Sequence, residues 1–535
     1  MKTIAVIPAC EGSIVFPNKN IRIVNGKPLI YYVINNALNS KYIDDVIVTT
    51  NSLEIINIAK QLGVKTKLRD DSLCNSITSL DVVVADVFND ISLSEYDYVI
   101  TMQSISPTLK VETLDNAINL CKERDYDTVI SVSSKKKFFW RKNCDEIIPI
   151  QSVRKNRNLL NPLYMETGAF LITKATYINN QSRIGKSVYL YELSDDEAVD
   201  VYCFGDLKQV ENILDKKSFA IYVNGNNSIG LGHIYRVIQL ADELFSKPDI
   251  YYDYNQTDKS SFGKTTHNLI GVDGVSGLFE AISNNKYDVF INDILSTTKE
   301  YMCNLKHLLP NSKIVNFEDE GDGADLADVV FNALYEDMSR TNIKAGEQYF
   351  IASKLFLLSN PINIADKVTD VFICFGGADP QNYTKRLLTI ISKKEYEKFI
   401  FWVVIGKANK LVDELMSYNK YKNINVLYDI NDIVNYMKCS DIAITSRGRT
   451  GFELTFLGIP TISLAQNQRE TLHTFLSQKN GIEYLGLNPD DSTIEENLRK
   501  YLYSQKNFRQ DLQNKMLSRD LRNGRKNVMN IIRNL

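Results

Sequence analysis

A glycine-rich turn near the middle of the chain carries one of its four histidines. The run Gly230-Leu231-Gly232-His233-Ile234-Tyr235-Arg236 follows a strand-like segment and opens a helix-like one. Backbone amides in such a turn can approach a phosphate at the positive N-terminus of a helix. A histidine there can exchange protons with a group attached to that phosphate. We therefore expect His233 to act at a nucleotide site, the alternative being a histidine that only caps its own helix.

Two later segments repeat this strand–turn arrangement. Phe375-Gly376-Gly377-Ala378-Asp379-Pro380 follows a strand-like run, and so does Ser446-Arg447-Gly448-Arg449-Thr450-Gly451-Phe452-Glu453. Glycine amides in these turns can face phosphates, and a helix-borne glutamate can accept ribose hydroxyls. Three turns of this kind, each after a buried strand, predict a nucleotide site in the second part of the chain.

The N-terminus offers another loop with the residue types that bind phosphates. A strand-like run, Ile4-Ala9, leads into a loop containing Gly12 and Ser13, followed by Lys19 and Asn20. Such a loop can wrap a triphosphate when its amides face inward and a cation offsets the charge, and Lys19 is the available cation. The alternative is a loop that only changes the direction of the chain.

Strand-like and helix-like segments alternate throughout the 535 residues, which predicts an α/β fold with more than one domain. Continuous Val/Ile runs suit parallel strands that are covered on both faces. A polar stretch at 215–218 and the turn at 375–380 give three predicted domains, 1–216, 217–365 and 366–535. The strand-like runs are 4–9, 45–50, 98–103, 128–132, 219–223, 289–291, 313–316, 371–375, 399–405, 425–427 and 442–445.

Composition excludes several classes of partner. A net charge of -3 gives no reason to expect nucleic acid or a membrane surface, and no apolar run reaches the length of about 18 residues that a membrane helix needs. The eight cysteines are scattered without metal-ligand spacing, which suits reduced thiols in a cytoplasmic protein. The acidic run 317–323 is interpreted as a solvated surface loop.

Residues 1–215 resemble the CMP-sialic acid synthetases, which are cytidylyltransferases that activate nonulosonic acids. The similar segments include the N-terminal loop, Gln103 with Ser106-Pro107, Glu166-Thr167-Gly168-Ala169-Phe170, and Asp200. The resemblance implies a Rossmann-like nucleotidyltransferase fold with a mixed, mostly parallel sheet, and CTP and a nonulosonic acid as substrates. It implies Lys19 as a catalytic cation, Mg²⁺ at Asp200, and nucleotide contacts from Gly12, Ser13, Asn20 and Gln103.

The first unit also departs from that family pattern. Cys10, Glu11 and Ile14 stand in the loop where the family carries two cations, and Tyr202 stands where it carries a second metal aspartate. A carboxylate close to a phosphate opposes binding. The alternative reading is therefore a noncatalytic module for binding or dimerisation, with a homodimer formed through this domain.

Residues 219–535 resemble the UDP-2,4-diacetamido-2,4,6-trideoxy-altropyranose hydrolase of pseudaminic acid biosynthesis, and more generally the two-lobed glycosyltransferase B architecture of MurG-like enzymes. The resemblance implies a UDP-sugar substrate and His233 as the acid/base. The family carries an Asp-x-Tyr-Gly stretch where this chain has Asn292-Asp293-Ile294-Leu295, so the aspartate is retained and the tyrosine is not. The implied nucleotide contacts are Gly230, Gly232, Arg236, Gly376, Gly377, Gly448, Thr450, Glu453, Asn467 and Gln468.

The two resemblances together predict a bifunctional enzyme of nonulosonic acid biosynthesis, of the pseudaminic or legionaminic type. Two alternatives stay open: a hydrolase whose first domain is a noncatalytic module, and a glycosyltransferase in the C-terminal half.

Overall fold

The computed structural model describes residues 1–11, 16–75, 77–143, 146–151, 153–226, 231–335, 339–430 and 432–535. These residues form two compact units, 1–216 and 217–535. The first contains one large sheet and the second contains two, all with helices between strands, which confirms the predicted α/β class. Within the described ranges, no helix has both the length and the hydropathy of a membrane-spanning segment.

The first unit is built on a seven-stranded sheet. The strands of the whole unit, including the separate pairs β2–β3 and β8–β9, are β1 (Thr3–Pro8), β2 (Ile23–Val24), β3 (Lys27–Pro28), β4 (Asp45–Thr50), β5 (Lys65–Leu68), β6 (Tyr98–Thr101), β7 (Thr128–Lys135), β8 (Trp140–Asn143), β9 (Glu146–Pro149), β10 (Leu163–Lys174) and β11 (Val188–Glu192). Its helices are α1 (Leu29–Asn39), α2 (Leu53–Gln61), α3 (Leu80–Val87), α4 (Val111–Glu123) and α5 (Phe204–Leu214).

The large sheet of the first unit has the strand order β11-β7-β10-β6-β1-β4-β5. All six residues of β1 are buried, as expected for an apolar strand covered by helices on both faces. Only β10 runs antiparallel to its neighbours, β6 and β7. The mixed, mostly parallel sheet is therefore confirmed. The β8–β9 hairpin lies outside this sheet, and every one of its strand residues is exposed.

The second unit contains thirteen strands and eleven α-helices in its described residues. The strands are β12 (Phe219–Val223), β13 (Asp249–Asp253), β14 (Asn268–Val272), β15 (Val289–Asp293), β16 (Lys313–Phe317), β17 (Val329–Asn332), β18 (Ile343–Ala345), β19 (Asp370–Cys374), β20 (Ile400–Ile405), β21 (Ile424–Tyr428), β22 (Ile442–Ser446), β23 (Thr461–Ala465) and β24 (Ile482–Leu487). The helices are α6 (Gly232–Ala241), α7 (Gly274–Ile282), α8 (Lys299–Leu308), α9 (Lys354–Leu357), α10 (Tyr383–Ile391), α11 (Val412–Met416), α12 (Ile433–Lys438), α13 (Arg449–Leu457), α14 (Asp491–Leu502), α15 (Lys506–Leu517) and α16 (Gly524–Arg533).

Two parallel sheets divide the second unit into a first lobe and a second lobe. The first lobe has the order β14-β13-β12-β15-β16-β17-β18, and the second lobe has the order β21-β20-β19-β22-β23-β24. Helix α16 returns to the first lobe, where Val528, Met529 and Ile532 join the core cluster of Phe219 and Ile221. The predicted two-lobed architecture is confirmed, and the helix that carries His233 rests on the same core.

Candidate active sites

His233 forms a buried pair with Asp293 in the first lobe. It is the second residue of α6, and Asp293 ends β15, so the start of a helix meets the carboxyl end of a parallel strand. The ring Nδ1 lies 2.5 Å from Asp293 Oδ1, and only 6% of His233 is exposed. A carboxylate on Nδ1 holds the proton on that nitrogen and leaves Nε2 free to accept one. This arrangement suits a general base.

Arg236 lies one helical turn after His233 and joins Asp293 to Glu318. Its Nε and Nη2 donate to the two oxygens of Asp293 at 2.7 and 2.6 Å, and its Nη1 donates to Glu318. Burial would raise the pKa of Glu318, but the Arg236 guanidinium outweighs burial and holds that pKa at about 2. Burial also opposes ionisation of Asp293, and Arg236 and His233 together bring its pKa below the usual value. All three nitrogens of the guanidinium are therefore occupied by carboxylates, and its predicted contact with nucleotide stays a prediction.

The acidic run after β16 is only in part the solvated loop expected from its charges. Glu318 is 5% exposed and Asp319 is fully buried. Asp319 accepts hydrogen bonds from the amide and hydroxyl of Thr297 at 2.8 and 2.6 Å, and Glu318 adopts a left-handed backbone with φ of 53°. The expectation holds for the exposed Glu320 and Asp322, but it was wrong for Glu318 and Asp319 because they lie at the carboxyl end of a parallel strand, where α/β folds gather polar groups at a site.

The glycine turns of the second lobe lie side by side. Gly376 has a left-handed φ of 77°, which favours glycine, and it follows β19. Gly448 caps α13, and Ser446 Oγ lies 4.0 Å from a Cβ built on Gly376 and 3.5 Å from one built on Gly448. The predicted strand–glycine–helix units of this lobe therefore converge at one edge of the sheet, as the nucleotide hypothesis requires. Gly377 follows Gly376 in the same turn, and a Cβ built on it would meet no atom within 4 Å.

Two carboxylates border this edge. Glu453 lies on α13, four residues after Arg449, and burial raises its pKa to about 7 although Arg449 opposes the shift. Glu470 Oε1 lies 3.6 Å from a Cβ built on Gly448, and burial raises its pKa to about 7 as well. Near neutral pH each of these groups is therefore protonated in part, which reduces repulsion toward a bound phosphate.

The remaining predicted contact residues of the second unit differ in exposure and in hydrogen bonding. Thr450 is half-buried on the first turn of α13. Asn467 and Gln468 are exposed, and Asn467 Oδ1 accepts from the Glu470 amide at 3.0 Å, so it caps a local turn. Gly230 lies outside the described residues, and Gly232 is the first residue of α6.

In the first unit, Lys19 and Asp200 lie in one electrostatic neighbourhood. Burial lowers the pKa of Lys19, while Cys10 and Asp200 oppose the shift. The Lys19 ammonium also lies 5.7 Å from the centre of the Tyr202 ring, at the position that departs from the family pattern. Burial raises the pKa of Asp200, and hydrogen bonds from Ser106 and Gly168 oppose that shift. A cation and a carboxylate thus face each other beside Tyr202.

Asn20 and Gln103 take different parts in this site. Asn20 is buried and bridges the loop: its amide donates to the Cys10 carbonyl at 2.7 Å and its oxygen accepts from Ser104 at 2.5 Å. Gln103 is partly exposed, and its backbone amide donates to the Gly168 carbonyl at 2.9 Å. Gly12 and Ser13, predicted to contact the triphosphate, lie outside the described residues, as does Ile14.

A bound Mg²⁺ is the cofactor that the resemblance implies at Asp200. The Gly168 amide donates to both carboxylate oxygens of Asp200, at 3.1 and 3.0 Å, and the Ser106 hydroxyl donates to one of them. Among the described residues, no group of three or more acidic, histidine or cysteine side chains could hold a metal. Mg²⁺ is commonly held by one or two carboxylates together with substrate phosphates. A single oriented carboxylate therefore fits an ion that is shared with a triphosphate.

Three arginines lie at these sites but were not among the predicted contact residues. Arg69 is 4% exposed, and its guanidinium lies 3.4 Å from the carbonyl of Ala9 in the N-terminal loop. Arg469 donates to the Glu318 carbonyl at 3.0 Å, which joins the second lobe to the first. Arg449 begins α13 beside Gly232. Arg449 was included in the motif 446–453 without a role, and Arg69 and Arg469 belonged to no motif that indicated one.

These features place one candidate nucleotide site in each of two α/β units. The chain belongs to the cytidylyltransferase family, whose model, described as "Cytidylyltransferase", matches residues 4–228. A CMP-N,N'-diacetyllegionaminic acid synthase of Legionella pneumophila is 31% identical over 190 residues, which cover 33% of this chain and 80% of that protein.

Similarity to one relative extends through both units. A Helicobacter pylori protein named pseudaminic acid cytidylyltransferase and UDP-2,4-diacetamido-2,4,6-trideoxy-beta-L-altropyranose hydrolase is 25% identical over 88% of this chain and 89% of its own length. An uncharacterised protein of Methanocaldococcus jannaschii is 30% identical over 50% of this chain, and the chain covers 60% of that protein's length. The solved structure of Acinetobacter baumannii MurG aligns with 60% of this chain and 100% of its own, at 13% identity and a TM-score of 0.45.

Proposed function

We propose that this protein is a bifunctional enzyme of nonulosonic acid biosynthesis. Its first unit transfers CMP from CTP to a nonulosonic acid, and its second unit hydrolyses a UDP-linked diacetamido sugar. The observation that carries the second activity is the His233–Asp293 pair, 2.5 Å apart at the start of α6. The named activities of the Helicobacter pylori relative, which is similar along 88% of this chain, support the combination.

Hydrolysis in the second unit follows from the proton arrangement at His233. Asp293 keeps a proton on Nδ1, so Nε2 takes the proton of a water molecule. The water oxygen bonds to the anomeric carbon of the sugar, and the bond from that carbon to the diphosphate oxygen breaks. Its electron pair leaves with UDP, and the products are a free sugar, UDP and one proton. Glu453 lies where a helix-borne carboxylate can accept ribose hydroxyls.

In the first unit the hydroxyl oxygen of the nonulosonic acid bonds to the α-phosphorus of CTP and gives its proton to solvent, and pyrophosphate leaves with the electrons of the broken P–O bond. Lys19 places a positive charge beside the phosphates, and Asn20 holds the loop by bridging Cys10 and Ser104. Asp200 is the residue that would hold Mg²⁺, which neutralises phosphate charge when bound. Glu11 in the same loop works against phosphate binding, so this activity is the more demanding half of the proposal.

Two variants of the whole chain test both halves, and each serves as the control for the other. The wild type should release UDP from UDP-diacetamido sugars and pyrophosphate from CTP with a nonulosonic acid. His233→Asn should abolish UDP release and leave pyrophosphate release intact, and Asp200→Asn should do the opposite. Absence of pyrophosphate release in the wild type would make the first unit a noncatalytic module. UDP release only when a sugar acceptor is added would identify a glycosyltransferase.

We further propose that the first unit forms a homodimer through its β8–β9 hairpin. Trp140 and Ile147 on this hairpin are 55% and 62% exposed, and Leu163, Tyr164 and Met165 at the start of β10 are exposed as well. Exposed large apolar side chains, when grouped in a patch, are typical of an interface. Ile147→Lys should shift the sedimentation coefficient from dimer to monomer, whereas Leu53→Lys, at an exposed position on α2, should not. A monomeric wild type would refute this assignment.

A further inference from the structure

Arg449 spans the space between the two lobes of the second unit. It is the first residue of α13 in the second lobe, and its Cδ lies 3.0 Å from a Cβ built on Gly232, the first residue of α6 in the first lobe. Its Nη2 donates to the Ile351 carbonyl at 2.7 Å, and its guanidinium lies 4.7 Å from the centre of the Phe350 ring. The side chain therefore lies next to the helix end that carries His233.

The charge of Arg449 is poorly compensated. Burial lowers its pKa, Arg236 lowers it further, and the carboxylates of Glu318 and Glu453 only oppose the shift. In the described part of the chain, its one hydrogen bond is to a backbone carbonyl, and it makes no ion pair. The side chain is half-buried, and a guanidinium in this position is stabilised when an anion binds beside it. Arg236, by contrast, is neutralised by two carboxylates.

Two helix N-termini meet at this side chain. Helix α6 has 10 residues and α13 has 9, and neither the residue before α6, Leu231, nor Gly448 provides a side-chain cap. In α13 the Gly451 amide donates to the Gly448 carbonyl at 3.2 Å, and both helix dipoles present their positive ends. Combined with the guanidinium, they form a positive region that favours an anion. The nearby Glu470, whose pKa burial raises to about 7, opposes such an anion only in part.

We propose that Arg449 binds the diphosphate of the UDP-sugar and stabilises UDP as it leaves. The assignment rests on the proposed hydrolase function and adds a residue that the sequence did not indicate. When the bond between the anomeric carbon and the diphosphate oxygen breaks, the electron pair moves onto that oxygen and the diphosphate gains one negative charge. Arg449 strengthens its interaction as that charge develops, while His233 receives the proton of the attacking water. The product UDP, being more highly charged than the substrate, is then held more tightly.

Binding of UDP and of uridine separates this role from a structural one. Dissociation constants of both ligands are measured by calorimetry on the whole chain, for the wild type and for Arg449→Gln, Arg449→Lys and Arg522→Gln. Arg522 is a matched control, because it too donates to backbone carbonyls, those of Ser359 and Phe456, and lies over a ring. Arg449→Gln should weaken UDP binding by about 10- to 100-fold, the usual effect of losing a charge-assisted contact. Uridine affinity should stay within about threefold of the wild type, because uridine carries no phosphate.

Arg449→Lys keeps a positive charge and a donor, so it should lie between the wild type and Arg449→Gln, and it serves as the test if Arg449→Gln does not fold. Arg522→Gln should bind both ligands like the wild type. Equal weakening of UDP and uridine in the Arg449 variants would show that Arg449 only joins the lobes, and would overturn the assignment. A wild type that binds uridine and UDP equally well would overturn it too. A wild type that binds neither and hydrolyses no UDP-sugar would instead refute the proposed function.

Discussion

Replacing Glu318 by Gln removes one charge from the buried cluster around Arg236 and keeps a side chain of the same shape. The pKa of Glu318 is about 2 in the folded protein, against an ordinary value of 4.5. At about 1.4 kcal/mol per pH unit, this difference stabilises the folded state by about 3 kcal/mol when the carboxylate is ionised. Glu318→Gln should therefore lower the free energy of unfolding of the second unit by about 3 kcal/mol at pH 7.

The pH dependence has a definite sign. Because the folded pKa lies below the unfolded one, the stabilisation is fully present above pH 4.5 and is lost as the pH falls toward 2. The difference between wild type and Glu318→Gln should be constant from pH 7 to pH 5 and should shrink below that. Urea unfolding measures it in a Trp140→Phe background, in which Trp402 is the one remaining tryptophan and reports on the second unit.

Glu495→Gln provides the control for burial. Its pKa is also held at about 2, chiefly by a hydrogen bond from Lys393. Its partners Lys393 and Arg499 are each 49% exposed, so solvent screens the pair, and its loss should cost less than about 1 kcal/mol. Equal losses for Glu318→Gln and Glu495→Gln, or a loss at Glu318 that does not change with pH, would refute the reasoning from burial.

Three further substitutions test the two sites. Asp293→Asn should slow UDP release by a factor on the order of 10³ to 10⁴, since the amide no longer holds the proton on His233 Nδ1, while calorimetry should show unchanged UDP affinity. Gly168→Ala should destabilise the first unit by about 1 to 3 kcal/mol in urea unfolding, because its Cβ would lie 2.8 Å from side-chain atoms of Ile105 and Ser106. Gly205→Ala, on the first turn of α5 with ordinary packing space, should be neutral, and equal losses at both glycines would contradict this. Tyr202→Asp should lower the Mg²⁺ concentration for half-maximal pyrophosphate release by about tenfold, because a second carboxylate joins Asp200, and an unchanged Mg²⁺ titration would argue against the metal assignment.

Apolar periodicity predicted the strands that are continuous Val/Ile runs and missed strands of more mixed composition. The runs at 219–223 and 442–445 are strands β12 and β22, because continuous Val/Ile segments pack on both faces of a parallel sheet. Strand β13, with the sequence Asp-Ile-Tyr-Tyr-Asp, was missed. It has an aspartate at each end, and Ile250 is its one aliphatic residue. Strand β10 was recognised as a motif rather than as a strand, and its antiparallel direction depends on pairing with β6 and β7, which local sequence does not encode.

The candidate sites, too, were predicted only in part from the sequence. The strand–glycine–helix turns pointed to Gly376 and Gly448, because backbone freedom at a tight turn leaves a direct trace in residue type. The role of Glu318 was mistaken, since a charged run has the same composition whether it faces water or a buried arginine. Arg449 was quoted within its motif without a role, because its meaning arises only where two helix ends from distant segments meet.

Helix α16, close to residue 535, supplies part of the hydrophobic core of the first lobe. The contact between Arg525 and Glu243 joins residues 282 positions apart, and Met529 shares a cluster with β12. During ribosomal synthesis, β12 and α6 emerge long before the segment that covers them, and such distant closures are slow. The nascent first lobe therefore lacks the cover of α16 on one apolar face until the second lobe has been translated, and His233, the proposed acid/base, acquires the full core beneath its helix only then.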